Sequence, residues 1–164
     1  MLEIQGDLFT YNPRAIPLEA TPNTVEELLA FSPSHGNILR CITTNGVVNK
    51  LGYLVMGAGV AKLAKRRFRE LPYLLGQKID ERGNHVYIID EYGMASFPTK
   101  HHWKDDSDIN LIVQSCRELL HISKKWDYVI LPRPGCGLGG LAWNEVKPII
   151  SEILHQDKFI VVHL

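Results

Sequence analysis

Two kinds of hydrophobic patterning alternate along the chain. Short runs of β-branched and apolar residues at 2–5 (LEIQ), 37–44 (NILRCITT), 128–131 (YVIL) and 159–164 (FIVVHL) have the length and composition of strands. Between them, apolar residues recur at helical spacing. After MGAG, a helix is predicted with Val60, Leu63, Ala64 and Phe68 on one face and Lys62, Lys65, Arg66 and Arg69 on the other. A second helix is predicted to start near Pro72 and end at the turn ERGN. HVYIID and GMASF read as two strands meeting at Glu91 to Gly93. The clearest helix runs from about Ser107 to Lys125, with Ile109, Ile112, Val113, Cys116, Leu119 and Leu120 on one face. NEVKPIISEIL is the last helix, and its Pro148 lies early enough to cost at most about one backbone hydrogen bond. Tyr11 to Asn37 is richer in Pro, Asn and Ser, with one short helical pattern, TVEELLAF.

Strands alternating with helices predict a single α/β domain over residues 1–164, three layers deep, with a largely parallel central sheet. In such sheets ligands bind at the carboxyl ends of strands, where loops lead into helices. Both glycine clusters, MGAG at 56–59 and PGCGLGG at 134–140, fall there. Exposed amides at a helix N-terminus form an anion site.

Several anion-binding patterns fail on particular residues. GYLVMGAG has the glycine spacing of a P-loop, but Ala58-Gly59 stands where Lys-Ser/Thr is needed. GCGLGG satisfies G-x-G-x-x-G, yet the following strand FIVVHL has no acidic residue at its tip to hold a ribose. A cysteine-dependent phosphatase needs Arg where Ala142 follows Cys136. The seven histidines and three cysteines show no zinc spacing.

Composition narrows the classes. At 45% hydrophobic and 22% charged, the 164 residues are those of a soluble globular domain. Eighteen basic and eighteen acidic residues leave no net charge to attract bulk nucleic acid or an acidic membrane, although a local patch remains open. MLEIQGDLF reads neither as a signal peptide nor as a transit segment, and no apolar run reaches the roughly 18–20 residues of a membrane span. Cys41, Cys116 and Cys136 are odd in number and widely spaced, which predicts no disulfide framework and a reducing, cytoplasmic setting.

Five motifs in register go further. GDLF after the first strand, TNG after the second, MGAGVA opening a helix, LPRPGCGLGGLAW before the last helix, and FPTKHHW at 97–103 together resemble the macrodomain family. The resemblance covers nearly the whole chain. FPTKHHW is similar to the branch containing DNA ADP-ribosyl glycohydrolase antitoxins and, more distantly, the terminal ADP-ribose protein glycohydrolase.

That resemblance implies a three-layer α/β/α fold with a mixed, largely parallel sheet and an ADP-ribose site at the strand ends, needing neither metal nor cofactor. Asp7 would accept from the adenine amino group, with the Leu8 amide nearby. Asn45 would face the distal ribose. Gly57, Ala58, Gly59 and Val60, with Gly135, Cys136, Gly137, Leu138 and Gly139, would surround the diphosphate. Lys100 matches a lysine that acts on the anomeric carbon of the distal ribose. Such a role needs a neutral amine, favoured by burial or by the charges of His101, His102 and Lys104. The implied partners are ADP-ribose and ADP-ribosylated macromolecules, ADP-ribosylated DNA among them, and no membrane. Hydrolysis of the glycosidic link is the leading activity; the alternatives are an ADP-ribose 1″-phosphate phosphatase and a non-catalytic reader. One departure matters: Gly139 stands where the protein glycohydrolase carries an acid, as glycine does in the antitoxin branch.

Plainer readings stand beside these. Taken alone, Asp7 and Asn45-Gly46 are turn signals, Lys62 to Arg69 a solvated helix face, and Cys136 a small buried residue. DDSD reads as the cap of the helix that follows. The segments 11–37 and 47–55 are long enough to cover a cleft.

Overall fold

β-Branched and apolar residues on both faces of the central strands bury most of their length, as a parallel sheet sandwiched between helices requires. In the computed structural model, which describes residues 1–14 and 37–164, the strands are β1 (Leu2–Gln5), β2 (Ile38–Thr44), β3 (Ile88–Ile89), β4 (Met94–Pro98), β5 (Tyr128–Pro132) and β6 (Phe159–His163). They form one sheet in the order β1-β6-β5-β2-β4-β3. Every neighbouring pair is parallel except β3 with β4.

Four helices cover the sheet among the described residues: α1 (Gly59–Arg67), α2 (Leu71–Arg82), α3 (Ile109–Ile122) and α4 (Trp143–Ile153). Side chains alternate across each strand, so one strand feeds two cores. Cys41, Phe97, Val129 and Leu131 pack with Ile112, Cys116, Leu119, Val146 and Ile150 of α3 and α4. Ile42 and Met94 point the other way, into Ala61, Ala64, Leu71 and Leu75 of α1 and α2. The result is the expected three-layer α/β/α fold with a mixed, largely parallel sheet.

Three expectations need correction. Leu63 is 44% exposed, and Ala61 joins Ala64 on the buried face of α1. Small residues there let the helix sit close to β2. On α3, Leu111 and Ser115 are buried whereas Val113 is only half-buried; the Ser115 hydroxyl donates to the Pro98 carbonyl at 2.7 Å. The strand expected at 85–90 shrinks to two residues, followed by a 3-10 turn and Gly93 at φ +58°. Side chains claim its backbone amides: Glu118 accepts from Val86 N at 2.8 Å, and the Ser96 hydroxyl accepts from Tyr87 N at 2.9 Å. The TVEELLAF pattern lies outside the described residues.

The edge strand β1 is fastened by one carboxylate. Glu3 Oε1 accepts from Arg133 Nη2 at 2.6 Å and Trp143 Nε1 at 2.8 Å, while Oε2 accepts from Lys147 Nζ at 2.7 Å. The Lys147 hydrogen bond leads, and with those of Arg133 and Trp143 it outweighs burial and holds the Glu3 carboxyl down at about 2. A carboxyl lowered on folding stabilises the fold above its ordinary value of 4.5, and that contribution fades as pH falls toward 2. Glu3→Gln should therefore lower the urea midpoint at neutral pH and flatten its decline over that acid range. An unchanged acid slope in the variant would refute the linkage.

Candidate functional site

The carboxyl ends of β2, β4 and β5 open into a cavity of about 850 Å³. Gly57, Ala58, Gly59 and Val60 line one side, where the chain enters α1. Ala58 caps α1 in extended conformation and offers no side-chain acceptor, so the first-turn amides are left for a ligand. Opposite lie Gly135, Gly137, Leu138 and Gly139, between β5 and α4. Gly57 and Gly137 face open space, with nothing within 4 Å of where a Cβ would stand.

The second loop is tightly folded. Leu141 N donates to Gly135 O at 2.9 Å, and Ser107 N donates to Gly139 O at 2.9 Å. Gly135 and Gly140 sit at φ +76° and +80°, a region that side chains rarely adopt. A Cβ on Gly139 would collide with Ser107 Oγ and lie 2.5 Å from the Gly135 carbonyl oxygen. No side chain fits at position 139 without moving the loop. The acid missing there is missing for a steric reason.

Lys100 follows β4 and spans the cavity, its Nζ donating to Leu138 O at 3.3 Å. Its own carbonyl accepts from Asn84 Nδ2 at 3.0 Å. Of the cations expected around it, His101 is bound to the Asp108 carboxylate at 2.8 Å, and that hydrogen bond lowers the Asp108 carboxyl. Asp108 also caps α3 through Asn110 N at 2.9 Å, as DDSD suggested. Asn45 lines the cavity, but its side chain already braces the 47–55 segment: Oδ1 accepts from Val47 N and Nδ2 donates to Val55 O, each at 2.9 Å.

Asp7, Leu8 and Cys136 are not among the cavity's lining residues. Asp7 Oδ1 accepts from Phe9 N at 2.9 Å and Thr10 N at 3.1 Å, a turn-forming arrangement. Leu8 is buried in a cluster that Phe9 and Val60 also join, which ties this turn to the first glycine loop. Burial raises the Cys136 thiol, so it is no ready nucleophile.

Sequence reasoning missed Thr44, Trp103, Asp105, Asp106, Ser107 and Arg133, all of which line the cavity. Arg133 sits in the quoted PRP, before the glycine loop, and is anchored by Glu3. Thr44 Oγ1 and Ser107 Oγ are buried without a hydrogen-bond partner among the described residues. Orphan buried hydroxyls are costly, and Ser107 Oγ is the one that faces Gly139 within the second loop. Beside it, sharing Gly57, a shallower depression of about 570 Å³ is lined by Lys62, Lys65, Arg66 and Arg69.

No protein-family model matches the chain. Among solved structures, the macrodomain of Thermus aquaticus DarG superposes with a TM-score of 0.68 at 26% identity, over 99% of this chain and 97% of that one. The chain is a macrodomain. Thermosipho africanus DarTG, solved in complex with ADP-ribose, matches this macrodomain with a TM-score of 0.65 at 25% identity, over 79% of this chain and 38% of that one. The Thermus aquaticus protein named DNA ADP-ribosyl glycohydrolase is 34% identical over 119 residues, 65% of this chain and 32% of that protein. The macrodomain spans between 32% and 41% of the length of the first curated relatives it matches.

The two loops give a stability contrast. Gly139→Ala should lower the melting temperature by about 5 °C or more, as overpacking typically does. Gly137→Ala, whose methyl enters open space, should stay within about 2 °C of the parent. Equal melting temperatures for both variants would show that the loop tolerates a side chain at 139.

Proposed function

We propose that this macrodomain binds ADP-ribose in the cavity and hydrolyses the link between ADP-ribose and a modified macromolecule. One observation carries the proposal: both glycine loops and the Lys100 amine converge on a single cavity. Loop amides, those of the first loop at the N-terminus of α1, suit a diphosphate, because bare glycines let phosphate oxygens approach the backbone. Gly57, Ala58, Gly59 and Val60 take one side of it; Gly135, Cys136, Gly137, Leu138 and Gly139 take the other, Cys136 through its backbone. The adenine lies toward the Asp7 turn, with Asp7 accepting from its amino group and the Leu8 amide beside it. The distal ribose lies toward Asn45, and its anomeric carbon toward Lys100. The names of the curated relatives favour DNA as the macromolecule.

In the reaction, the neutral amine of Lys100 forms a bond to the anomeric carbon as the bond to the leaving group breaks. The leaving group takes a proton from water. A second water then displaces the amine from the carbon, its hydroxyl staying there and its proton neutralising the hydroxide left by the first, which releases ADP-ribose and regenerates the amine. A reader that binds without turnover is the second reading, favoured by the steric exclusion of an acid at Gly139.

Calorimetry in chelator should show ADP-ribose binding, because backbone amides rather than a metal hold the phosphates. Gly57→Val and Gly137→Val should weaken it at least tenfold while leaving the melting temperature near that of the parent, since their side chains enter the cavity rather than the core. Binding equal to the parent in both variants would move the site elsewhere.

Lys100 separates enzyme from reader. On a panel of ADP-ribosylated DNA and protein substrates, Lys100→Ala should lose at least 100-fold in released ADP-ribose and keep its affinity for free ADP-ribose. Lys100→Arg should be nearly as inactive, because a guanidinium stays protonated and is no nucleophile. Substantial rescue by arginine would make the role electrostatic; a parent inactive on the whole panel would make the domain a reader.

A further inference from the structure

The turn after Lys100 carries an exposed indole on the rim of the cavity, and neither phosphate nor ribose binding has a use for it. Trp103 is 49% exposed and lines the cavity beside Lys100 and Lys104. The turn beneath it is held at several points. Gly46 N donates to His101 O at 3.1 Å, Asp105 N to His102 O at 3.1 Å, and Lys104 N to His102 Nδ1 at 3.1 Å. His102 packs 5.2 Å from the indole centroid at 33°, and Lys104 Nζ lies 5.2 Å from that centroid. A half-exposed indole is thus kept at a fixed place, with the Lys104 ammonium over one of its faces.

We infer that Trp103 is the stacking platform for the heterocyclic base that carries the ADP-ribose. The inference rests on the glycohydrolase reading. In that reading the bond to be cleaved stands at Lys100, and the ADP-ribose runs from there toward the glycine loops and the Asp7 turn. Trp103, three positions beyond Lys100 on the same braced turn, lines the cavity with it, and on this inference the leaving group lies against its indole. A planar, carbonyl-bearing base matches an indole face with a neighbouring ammonium. A serine or carboxylate side chain of a protein has no aromatic ring to stack on the indole. The platform would hold the base while the sugar stays aligned on Lys100, so Trp103 is a binding residue for the leaving group.

The test measures binding in a Lys100→Ala background, so that no ligand is consumed, with Trp103→Ala and Trp103→Phe added. Three probes are compared: free ADP-ribose, a single-stranded oligonucleotide bearing ADP-ribose on one base, and a peptide bearing ADP-ribose on a serine. Trp103→Ala should weaken the oligonucleotide about 5- to 150-fold, the range for loss of one stacked base, and move the other two less than about twofold. Phenylalanine should recover most of the loss. Oligonucleotide binding should also quench a fluorescence component absent from the Trp103→Phe variant, and free ADP-ribose should not. An unchanged oligonucleotide affinity overturns the inference, as does an equal loss on free ADP-ribose or on the peptide. Failure of the parent to bind free ADP-ribose at all would instead sink the functional reading beneath it.

Discussion

The contact of Gly139 with Ser107 and Gly135 is the constraint on which the site depends. Because glycine carries no Cβ there, the second loop can fold onto the segment leading into α3, with Ser107 N bound to Gly139 O. That closure turns Gly137 and Leu138 toward the cavity and puts Leu138 O within reach of Lys100. It also fixes what the loop lacks. A carboxylate at position 139 would need the room that Ser107 and the Gly135 carbonyl already fill, so the acids that line the cavity come from another element. Asp105 and Asp106, just before Ser107, are in that position.

The sheet explains why these parts meet. Parallel β2, β4 and β5 end at the same edge of the layer, so the segments after them emerge side by side. Thr99 N bonds to Thr44 O at 3.0 Å, extending the β2–β4 pairing one step into the site. Edge strand β1 contributes from further away: Glu3 grips Arg133, which lines the cavity, and Trp143, which begins α4. Fold stability and site shape therefore share one ion cluster.

Much of this was legible in the sequence because burial on both faces leaves an unmistakable run of β-branched residues. β2, β5 and β6 and all four helices fall close to where periodicity puts them. Errors came where side chains rather than pattern decide. Leu63 fits a helical stripe, yet the narrow gap above β2 admits alanine there instead. HVYIID alternates like a strand, but Glu118 and Ser96 capture its amides. In the site, glycine loops were readable because glycine density has few other uses. Arg133, Ser107 and Trp103 were not, since a lone arginine, serine or tryptophan in a loop carries no periodic signal. Asn45 was ambiguous for another reason: the side chain facing the cavity is also the one that braces the loop.

A chain with no net charge can still present a strong local field. The acidic and basic groups of this macrodomain are sorted by place rather than by number. Glu3 and Asp90 are each paired with a cation on a neighbouring element, and Asp108 is hydrogen-bonded to the His101 imidazole. The outer face of α1 is different: its Lys62, Lys65 and Arg66 stand with Arg69, just beyond its end, around the depression that shares Gly57 with the cavity. Their charge adds to the positive end of α1, whose first-turn amides have no capping carboxylate to neutralise them. The field at the first glycine loop is thus made by what the helix omits at its start as much as by the cations it carries along its flank.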